Sequence, residues 1–194
     1  MWGWTATALT TRRFKAMETA KFLLRPYRPE DCSALIRLFC ESVHGAFPGL
    51  PSCREDYTSA ELAAWAPILT GREAAERERA WAESLAAHYT IVAEQNGEPV
   101  GFGDLAAARG AYLDRLYVLP RCRGQGIASS LARSLEKEAR SCGFSLMTVH
   151  TSRTARSFFE RRGYRLLYPQ TVVRKNRADG APVLLENFAM EKTL

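Results

Sequence analysis

Residues 112–143, YLDRLYVLPRCRGQGIASSLARSLEKEARSCG, contain the pattern that decides the fold. The first part is rich in the aromatic and aliphatic residues that strands favour, and Pro120 ends it because proline has no N–H to donate to a sheet. Apolar residues then recur every four positions from Ile127 to Ala139, and Gly143 follows where a helix end requires positive φ. The stretch therefore predicts a strand, a glycine-bearing loop and an amphipathic helix.

The loop between this strand and this helix, residues 121–126 (RCRGQG), has the composition of an anion site. Main-chain N–H groups at the start of a helix are unpaired, and the helix dipole together with two arginines favours a negatively charged ligand there. The glycines remove Cβ atoms that would hold a phosphate away from the backbone, and Ala128 is small enough for close approach. We interpret this glycine loop as a pyrophosphate-binding site. The alternative is a surface turn with two solvated arginines.

The glycine loop and its flanks resemble the signature of the GNAT superfamily of acyl-CoA N-acyltransferases, Arg/Gln-x-x-Gly-x-Gly/Ala between a strand ending in Val-x-Pro and a long helix. The chain satisfies this signature in two registers, one that starts at Arg121 and one that starts at Arg123. Residues 152–164, SRTARSFFERRGY, are similar to a second superfamily motif, a helix that lies over the thiol end of coenzyme A. The resemblance covers residues 21–194 and extends to a bacterial branch of N-acetyltransferases.

The resemblance implies that acetyl-CoA is the co-substrate and that three parts of the chain hold it. In similar proteins these parts are the end of the strand, the glycine loop with the first turn of its helix, and the later helix. The cofactor-binding residues that the resemblance implies are Leu116, Tyr117, Val118, Arg121, Arg123, Gly124, Gln125, Gly126, Ile127, Ala128, Ser152, Ala155, Phe158 and Phe159. Ser152 stands where many members have Asn, and Phe159 stands where many have the tyrosine that protonates the leaving thiolate. No metal is expected.

Acetyl transfer requires a group that removes a proton from the amine, since an alkyl ammonium titrates near ~10. Asp114 is the first candidate, because it lies in the strand where similar proteins place a catalytic Glu. Strand alternation puts its side chain on the face of Leu116, and a salt bridge to Arg115 or Arg109 is the alternative role. His150, at the end of the next strand, is the second candidate, with a hydrogen-bonded structural histidine as its alternative.

The other two chemical demands are stabilisation of the oxyanion and protonation of the thiolate. A main-chain N–H at the end of the strand, residues 116–118, can stabilise the oxyanion without a particular side chain. Tyr117 is the candidate general acid, and Tyr164 and Tyr168 are other substitutes for the tyrosine missing at Phe159. Protonation by solvent is the alternative, because a thiolate is already a fair leaving group.

In this superfamily the helices after the first strand flank the acceptor amine. The aromatic residues Phe47, Tyr57 and Trp65 are therefore candidate walls of the substrate site, and packing in the core is the alternative. The expected acceptor is a small-molecule or peptide amine. Dimers are common among similar proteins, so a homodimer is an open expectation.

Turn signals and connections predict how the strands pair. Asn96-Gly97 and Asp179-Gly180 each mark a β-hairpin. The strand after the long helix must run parallel to the strand before it, because a helix joins them. The resemblance implies an α/β (α+β) fold, with a mixed, mostly antiparallel sheet of six to seven strands and helices on both faces. It also implies a central parallel strand pair that splays apart to admit the pantetheine arm.

Length, charge, hydropathy and cysteine spacing limit the other classes of protein to which the chain could belong. The 194 residues fit one domain, expected over residues 17–194, with residues 1–16 as a disordered or non-native extension. The net charge is +6, but half of it comes from Arg12, Arg13 and Lys15 with no acid in that segment, which argues against nucleic-acid binding. No apolar run approaches the ~20 residues of a membrane helix, and the scattered cysteines are typical of reduced, cytoplasmic thiols.

The sequence therefore predicts a cytoplasmic N-acetyltransferase that moves an acetyl group from acetyl-CoA to a primary amine in a ternary complex. Two alternatives come from other classes of protein. A non-catalytic acyl-CoA sensor or interaction module is motivated by Phe159 in place of the tyrosine. A phosphate-binding fold for another nucleotide is motivated by the glycine loop alone.

Overall fold

The computed structural model describes residues 22–45, 56–108, 110–177 and 179–194, which form seven strands and five α-helices. The strands are β1 (Leu23–Pro26), β2 (Tyr89–Gln95), β3 (Glu98–Ala106), β4 (Ala111–Val118), β5 (Leu146–Ser152), β6 (Arg165–Lys175) and β7 (Pro182–Thr193). The helices are α1 (Cys32–His44), α2 (Ser59–Trp65), α3 (Gly71–Ala87), α4 (Ile127–Ser141) and α5 (Arg153–Arg161). Short 3-10 helices occupy Pro29–Asp31 and Pro120–Cys122.

All seven strands belong to one sheet, in the order β1-β2-β3-β4-β5-β7-β6. Every neighbouring pair is antiparallel except β4 and β5, which run parallel because α4 joins them. The ring of Tyr117 on β4 packs against Phe39 of α1, whereas the adjacent Leu116 lies on the α4 side of the sheet. The mixed, mostly antiparallel sheet with helices on both faces is thereby confirmed.

Close packing of α4 on the sheet depends on glycines in β3. A Cβ at Gly103 would lie 3.0 Å from Cδ1 of Leu135 and 3.1 Å from the carbonyl oxygen of Arg115. A Cβ at Gly101 would be equally crowded by Ile127. Since these distances are shorter than ordinary van der Waals contact, only glycine lets α4 approach the strand this closely.

The central parallel pair separates after three residues. Ala111–Leu113 of β4 are in register with Met147–Val149 of β5, and the ladder ends there. The two strands continue for several residues beyond this point, β4 to Val118 and β5 to Ser152. The splayed pair that the resemblance implied is therefore confirmed, and it leaves a gap at the C-terminal ends of both strands.

A β-bulge lies at the point where this gap begins. Asp104 of β3 is opposite Arg115 of β4, and Leu105 is opposite Leu113, so Asp114 is the extra residue between them. The strict alternation that placed Asp114 on the face of Leu116 is interrupted here. The carboxylate of Asp114 instead lies 3.1 Å from Nη2 of Arg115, whose guanidinium faces α3.

Local signals in the sequence match the ends of the elements. Thr58 caps α2 in a capping box with Glu61, as both expected main-chain hydrogen bonds are present. Asn96 and Gly97 have positive φ, 53° and 81°, and form the β2–β3 turn. The large core lies between the sheet and its helices, and Phe102, Leu35 and other side chains there are fully buried.

Some predictions concern residues outside the described ranges. These are the extension 1–16, the substrate-wall candidate Phe47 and the salt-bridge candidate Arg109. Within the described ranges, no helix combines the length and the apolar character that crossing a membrane requires.

Candidate functional site

A cavity of about 600 Å³ lies in the gap between β4 and β5. Its wall is formed by the end of β4, the glycine loop, the first turn of α4, the end of β5 and helix α5. The residues predicted to bind a cofactor that line it are Leu116, Tyr117, Val118, Arg123, Gly124, Gly126, Ile127, Ala128, Ser152, Ala155, Phe158 and Phe159. Arg121 and Gln125 are the predicted residues that do not line this site cavity.

The glycine loop holds the N-terminus of α4 open toward the cavity. Gly124 and Gly126 have φ of 76° and 82°, a left-handed conformation that strains any residue with a Cβ, and Gly126 is the N-cap of α4. The first main-chain bond of the helix runs from Ser130 N to Gly126 O, at 3.0 Å. Helix geometry therefore leaves the N–H groups of residues 127–129 without helical partners, at a wall of the cavity.

The two arginines of the loop have different surroundings. Arg121 Nη1 donates to Glu41 Oε1 of α1 at 2.9 Å, and this pair is partly exposed. Arg123 lines the cavity, and its Nη2 donates to the carbonyl oxygen of Ser42 at 3.1 Å. The register that starts at Arg123 thus places all of its signature residues at the cavity, whereas the register that starts at Arg121 does not.

Helix α5 presents an aromatic wall. Its N-cap Ser152 accepts a hydrogen bond from Ala155 N at 3.2 Å, which fixes the start of the helix. Phe158 and Phe159 pack edge to face with ring centroids 5.2 Å apart, and both line the cavity. The position that carries a tyrosine in many similar proteins is therefore a buried phenyl ring without a hydroxyl.

The tyrosines considered as substitutes differ in position. Tyr164 is buried, its hydroxyl donates to Met147 Sδ at 3.3 Å, and burial raises its pKa. Tyr168 is 53% exposed on β6, and neither residue lines the cavity. Tyr117 does line it, although its ring packs on Phe39 with centroids 4.9 Å apart.

Asp114 lines the cavity and belongs to a cluster of four charged or titratable side chains, hereafter the charge cluster: His88, Asp104, Asp114 and Arg115. His88 Nδ1 is 2.7 Å from Asp104 Oδ2 and 4.0 Å from Asp114 Oδ2. Arg115 reaches both carboxylates, with Nη1 3.3 Å from Asp104 and Nη2 3.1 Å from Asp114. Sequence reasoning found Asp114 and considered its pairing with Arg115, but it missed Asp104 and His88.

The charge cluster alters two proton affinities. Burial raises the pKa of Asp114, and the negative charge of Asp104 raises it further, while Arg115 and His88 oppose this. The hydrogen bond to Asp104 raises the pKa of His88, and partial burial opposes it. Asp114 is consequently a stronger base than an exposed aspartate.

The second base candidate, His150, also lines the cavity and is exposed. Its Nδ1 lies 3.4 Å from the hydroxyl of Tyr112, and the two rings meet edge to face at 5.5 Å. Burial, and next the charge of Asp114, raise the pKa of Tyr112 to about 12. His150 therefore has a hydroxyl partner and lies on the opposite side of the gap from β4.

The aromatic residues proposed for the acceptor side lie at different depths. Trp65 of α2 lines the cavity. Tyr57 is buried behind it, with ring centroids 5.3 Å apart, and its hydroxyl accepts a hydrogen bond from Arg153 N at 2.8 Å. Arg153 also stacks over the Tyr57 ring at 4.2 Å and pairs with Glu61. Tyr57 thus joins α2 to the start of α5.

Several polar residues of the cavity escaped sequence reasoning. They are Ser42, Ser129, Thr151, Thr154 and Arg161. Arg161 belongs to the FFERRGY motif and follows Phe158 by three residues, so helical spacing would have indicated it. Ser42 comes from α1, far away in sequence, and no local pattern points to it.

Three members of the charge cluster, His88, Asp104 and Asp114, have potential ligand atoms that all lie within 4.8 Å of one another. The guanidinium of Arg115 already lies 3.1–3.3 Å from both carboxylates. A metal ion there would face this fixed positive charge at short range. The arrangement is therefore that of an ion-pair cluster.

Comparisons with known proteins identify a family and a fold. A family profile described as Acetyltransferase (GNAT) domain matches residues 53–178. The Uncharacterized N-acetyltransferase YafP of Escherichia coli strain K12 is 32% identical over 149 residues, which are 77% of this chain and 85% of that protein.

Among solved structures, the GCN5-related N-acetyltransferase from Rhodopseudomonas palustris is 32% identical and has a TM-score of 0.75, covering 92% of this chain and 99% of that chain. PaiA N-acetyltransferase from Thermoplasma acidophilum, in complex with coenzyme A, shares the fold with a TM-score of 0.63 and 21% identity, over 89% of this chain and 99% of that chain.

Proposed function

Because the chain belongs to the GNAT family of acetyltransferases, we propose that it moves an acetyl group from acetyl-CoA to a primary amine, by direct attack within a ternary complex. The observation that carries the proposal is the cavity of about 600 Å³ where β4 and β5 separate. It has the N-terminus of α4 at one wall, and the carboxylate of Asp114 is in its lining. One cavity thus has in its lining a helix N-terminus, which suits an anion, and a carboxylate, which can accept a proton.

The residues of the cavity fit acetyl-CoA. The helix N-terminus at residues 127–129 and the guanidinium of Arg123 favour the pyrophosphate. Phe158 and Phe159 give an apolar wall for the pantetheine arm and the thioester. The end of β4, which has left its β5 ladder, offers main-chain groups to that arm. When bound, acetyl-CoA supplies the activated acetyl thioester.

Asp114 is the group that takes the proton of the amine in this proposal. An ammonium near ~10 must lose a proton before it can attack, and the raised pKa of Asp114 makes that transfer less unfavourable than for an ordinary aspartate. His150 is the second candidate, on the β5 side of the same cavity. A main-chain N–H at the end of β4, residues 116–118, stabilises the oxyanion.

Protonation of the thiolate is assigned to solvent or to Tyr117. Phe159 has no hydroxyl, and the cavity opens to solvent. A thiol titrates near ~8.5, so the departing thiolate is tolerated at neutral pH without a dedicated acid. Phe159→Tyr is accordingly expected to bind acetyl-CoA and to give little gain in turnover.

The direct test is release of free CoA thiol from acetyl-CoA with a panel of amines, combined with mass spectrometry of the acetylated products. Turnover with any amine supports the acetyltransferase. Binding of acetyl-CoA by calorimetry without turnover supports the second candidate function, a non-catalytic acyl-CoA sensor, which the phenyl ring of Phe159 favours. No uptake of acetyl-CoA or of longer acyl homologues would refute both.

The amine acceptor is proposed from the geometry of the cavity, and the cellular location is proposed from the state of the cysteines. Trp65 and Asp114 together line the cavity, and an aromatic ring with a carboxylate suits a small-molecule or peptide amine. The described cysteines Cys32, Cys40, Cys122 and Cys142 are all free thiols, which is typical of a reducing compartment and supports a cytoplasmic location.

A further inference from the structure

Asp104 is a member of the charge cluster that the proposed mechanism does not use. It is fully buried on β3, and its Oδ2 accepts a hydrogen bond from His88. Burying an ionised carboxylate is costly, and a buried ion pair rarely stabilises a fold more than apolar side chains of the same volume would. Whatever it contributes to stability, a buried charge this close to Asp114 also acts on the protonation of that carboxylate.

Arg115 connects the two aspartates. One of its terminal nitrogens is 3.3 Å from Asp104 and the other is 3.1 Å from Asp114. Its guanidinium lies 4.8 Å from the ring centroid of Trp81, and Nη2 also donates to Ser84 Oγ. Because α3 holds the guanidinium in this place, its charge is divided between the two carboxylates.

His88 is positioned to alter how the charge of Arg115 is divided between Asp104 and Asp114. It follows the last residue of α3, where the helix dipole favours a positive charge, and its Nδ1 bonds to the buried Asp104. A protonated His88 neutralises Asp104 and so weakens the pull of Asp104 on Arg115.

We infer that Asp104 and His88 are positioning residues that set the basicity of Asp114: Asp104 competes with Asp114 for Arg115, and His88 limits that competition. The inference rests on the proposed function, in which Asp114 takes the proton of the amine. Neither Asp104 nor His88 touches the reacting atoms in this arrangement. The bulge at Asp114 is what brings the base and this pair together, since it puts Arg115 opposite Asp104.

The charge of Asp114 is affected by burial and by three neighbours, Asp104 of β3, Arg115 of β4 and His88 after α3. Tyr112 of β4 and His150 of β5 are the other titratable groups nearby, and they contact each other. Asp104 is the anion of this set, and Tyr112 becomes anionic only at high pH. The cations that act on Asp114 are Arg115 and protonated His88. Removing the charge of Asp104 should therefore lower the pKa of Asp114, and removing the charge of His88 should raise it.

Two substitutions separate these effects. Asp104→Asn leaves Arg115 to Asp114 alone, so the acid limb of the pH profile of kcat/KM is expected to move to lower pH, by about one unit. His88→Asn keeps a nitrogen donor near the position of Nδ1 but removes the positive charge. The acid limb is then expected to move to higher pH, because Asp104 competes at full charge. A substitution that only damaged the structure would lower the rate, but it would not move the acid limb in opposite directions in the two variants.

Asp31→Asn is the matched control. Like Asp104, Asp31 is a buried aspartate paired with an arginine, here Arg25 through two hydrogen bonds, but it precedes α1 and does not line the cavity. This variant is expected to leave the acid limb in place. If Asp104→Asn does not fold, the upward shift in His88→Asn carries the test alone. Shifts of the same sign in both variants, or no shift in either, overturn the inference.

A second readout does not depend on turnover. Titration of the Asp114 carboxyl carbon by NMR in protein labelled with ¹³C-aspartate follows the same group directly, with Asp114→Asn used to assign its signal. The Asp114 midpoint is expected to fall in Asp104→Asn and to rise in His88→Asn. A protein that shows these shifts without acetylating any amine would refute the proposed function and leave the electrostatic coupling standing. If turnover depends on Asp114 but the Asp114 midpoint does not shift in either variant, the proposed function stands and the electrostatic coupling is refuted.

Discussion

Gly126 and Gly143 lie just outside opposite ends of α4 and offer a matched pair of substitutions. Their φ values are 82° and 84°, and a Cβ added at either would meet no atom within 4 Å. The cost of Gly→Ala to the folded protein is therefore backbone strain at both sites, not steric overlap. Gly126 lines the site cavity, whereas Gly143 is exposed at the far end of the helix.

The expected magnitudes follow from this symmetry. A left-handed conformation costs a residue with a Cβ about 1–2 kcal/mol, and the stiffer unfolded chain offsets about 0.4–1 kcal/mol of it. Each variant should lose about 1 kcal/mol of stability, or about 2–4 °C in Tm for a chain of this size. At Gly126, but not at Gly143, a backbone that relaxes to relieve this strain also turns the first N–H groups of α4 away from the direction in which they would bind the pyrophosphate. One lost charge-assisted hydrogen bond is worth about 1.5–3 kcal/mol, or about 10- to 140-fold in Kd.

The assay is calorimetric titration of wild type, Gly126→Ala and Gly143→Ala with CoA and with acetyl-CoA, beside thermal unfolding of each protein. Gly126→Ala should bind at least tenfold more weakly than Gly143→Ala at an equal loss of Tm, and Gly126→Val should abolish binding. Equal affinities in the two alanine variants would show that the glycine loop does not hold the cofactor in the way proposed.

Three further predictions use other parts of the site. Asp114→Asn should keep CoA affinity and lower turnover by about 10²-fold or more, with no loss of Tm, since burial already disfavours the charge; unchanged turnover removes Asp114 as the base. His88 has a raised pKa, so its stabilisation is complete below pH ~6.5 and is lost as pH rises through its folded value. The Tm difference between wild type and His88→Asn should therefore be larger at pH 6 than at pH 9, and a constant difference contradicts the pairing with Asp104. Tyr57→Phe leaves Arg153 N without its acceptor and should cost about 1–3 kcal/mol in chemical denaturation, whereas an unaffected midpoint means that α2 and α5 are not joined there.

The parts of the fold that the sequence predicts are those with local physical causes. The Asn96-Gly97 turn and the capping box at Thr58 depend on residues a few positions apart, and both are present. The parallel direction of β4 and β5 follows from the helix that joins them. Local causes of this kind require no knowledge of the distant parts of the chain.

The bulge and the pairing of His88 with Asp104 have no such local cause. One extra residue in β4 leaves no trace in composition, yet it interrupts the alternation on which a side-chain direction is predicted. His88 and Asp104 meet because β2 and β3 form a hairpin whose register places their ends together. An acid inside the apolar run 100–105 was a usable signal, because a buried strand tolerates an ionised side chain only with a partner.

Two irregularities of β4 occur at adjacent residues, and together they make the site. The ladder to β5 ends at Leu113, and the bulge against β3 is at Asp114. A regular β4 paired along its whole length with β5 would fill the gap in which the cavity lies, and strict alternation would separate the carboxylate of Asp114 from Arg115. The strand β4 separates from β5 and bulges against β3 at the same place. The side chain of Asp114 therefore reaches both the cavity and the charge cluster. In the proposed mechanism the end of β4 thus offers one substrate both the main-chain groups that β5 does not pair and the carboxylate of Asp114, and neither irregularity alone would provide both.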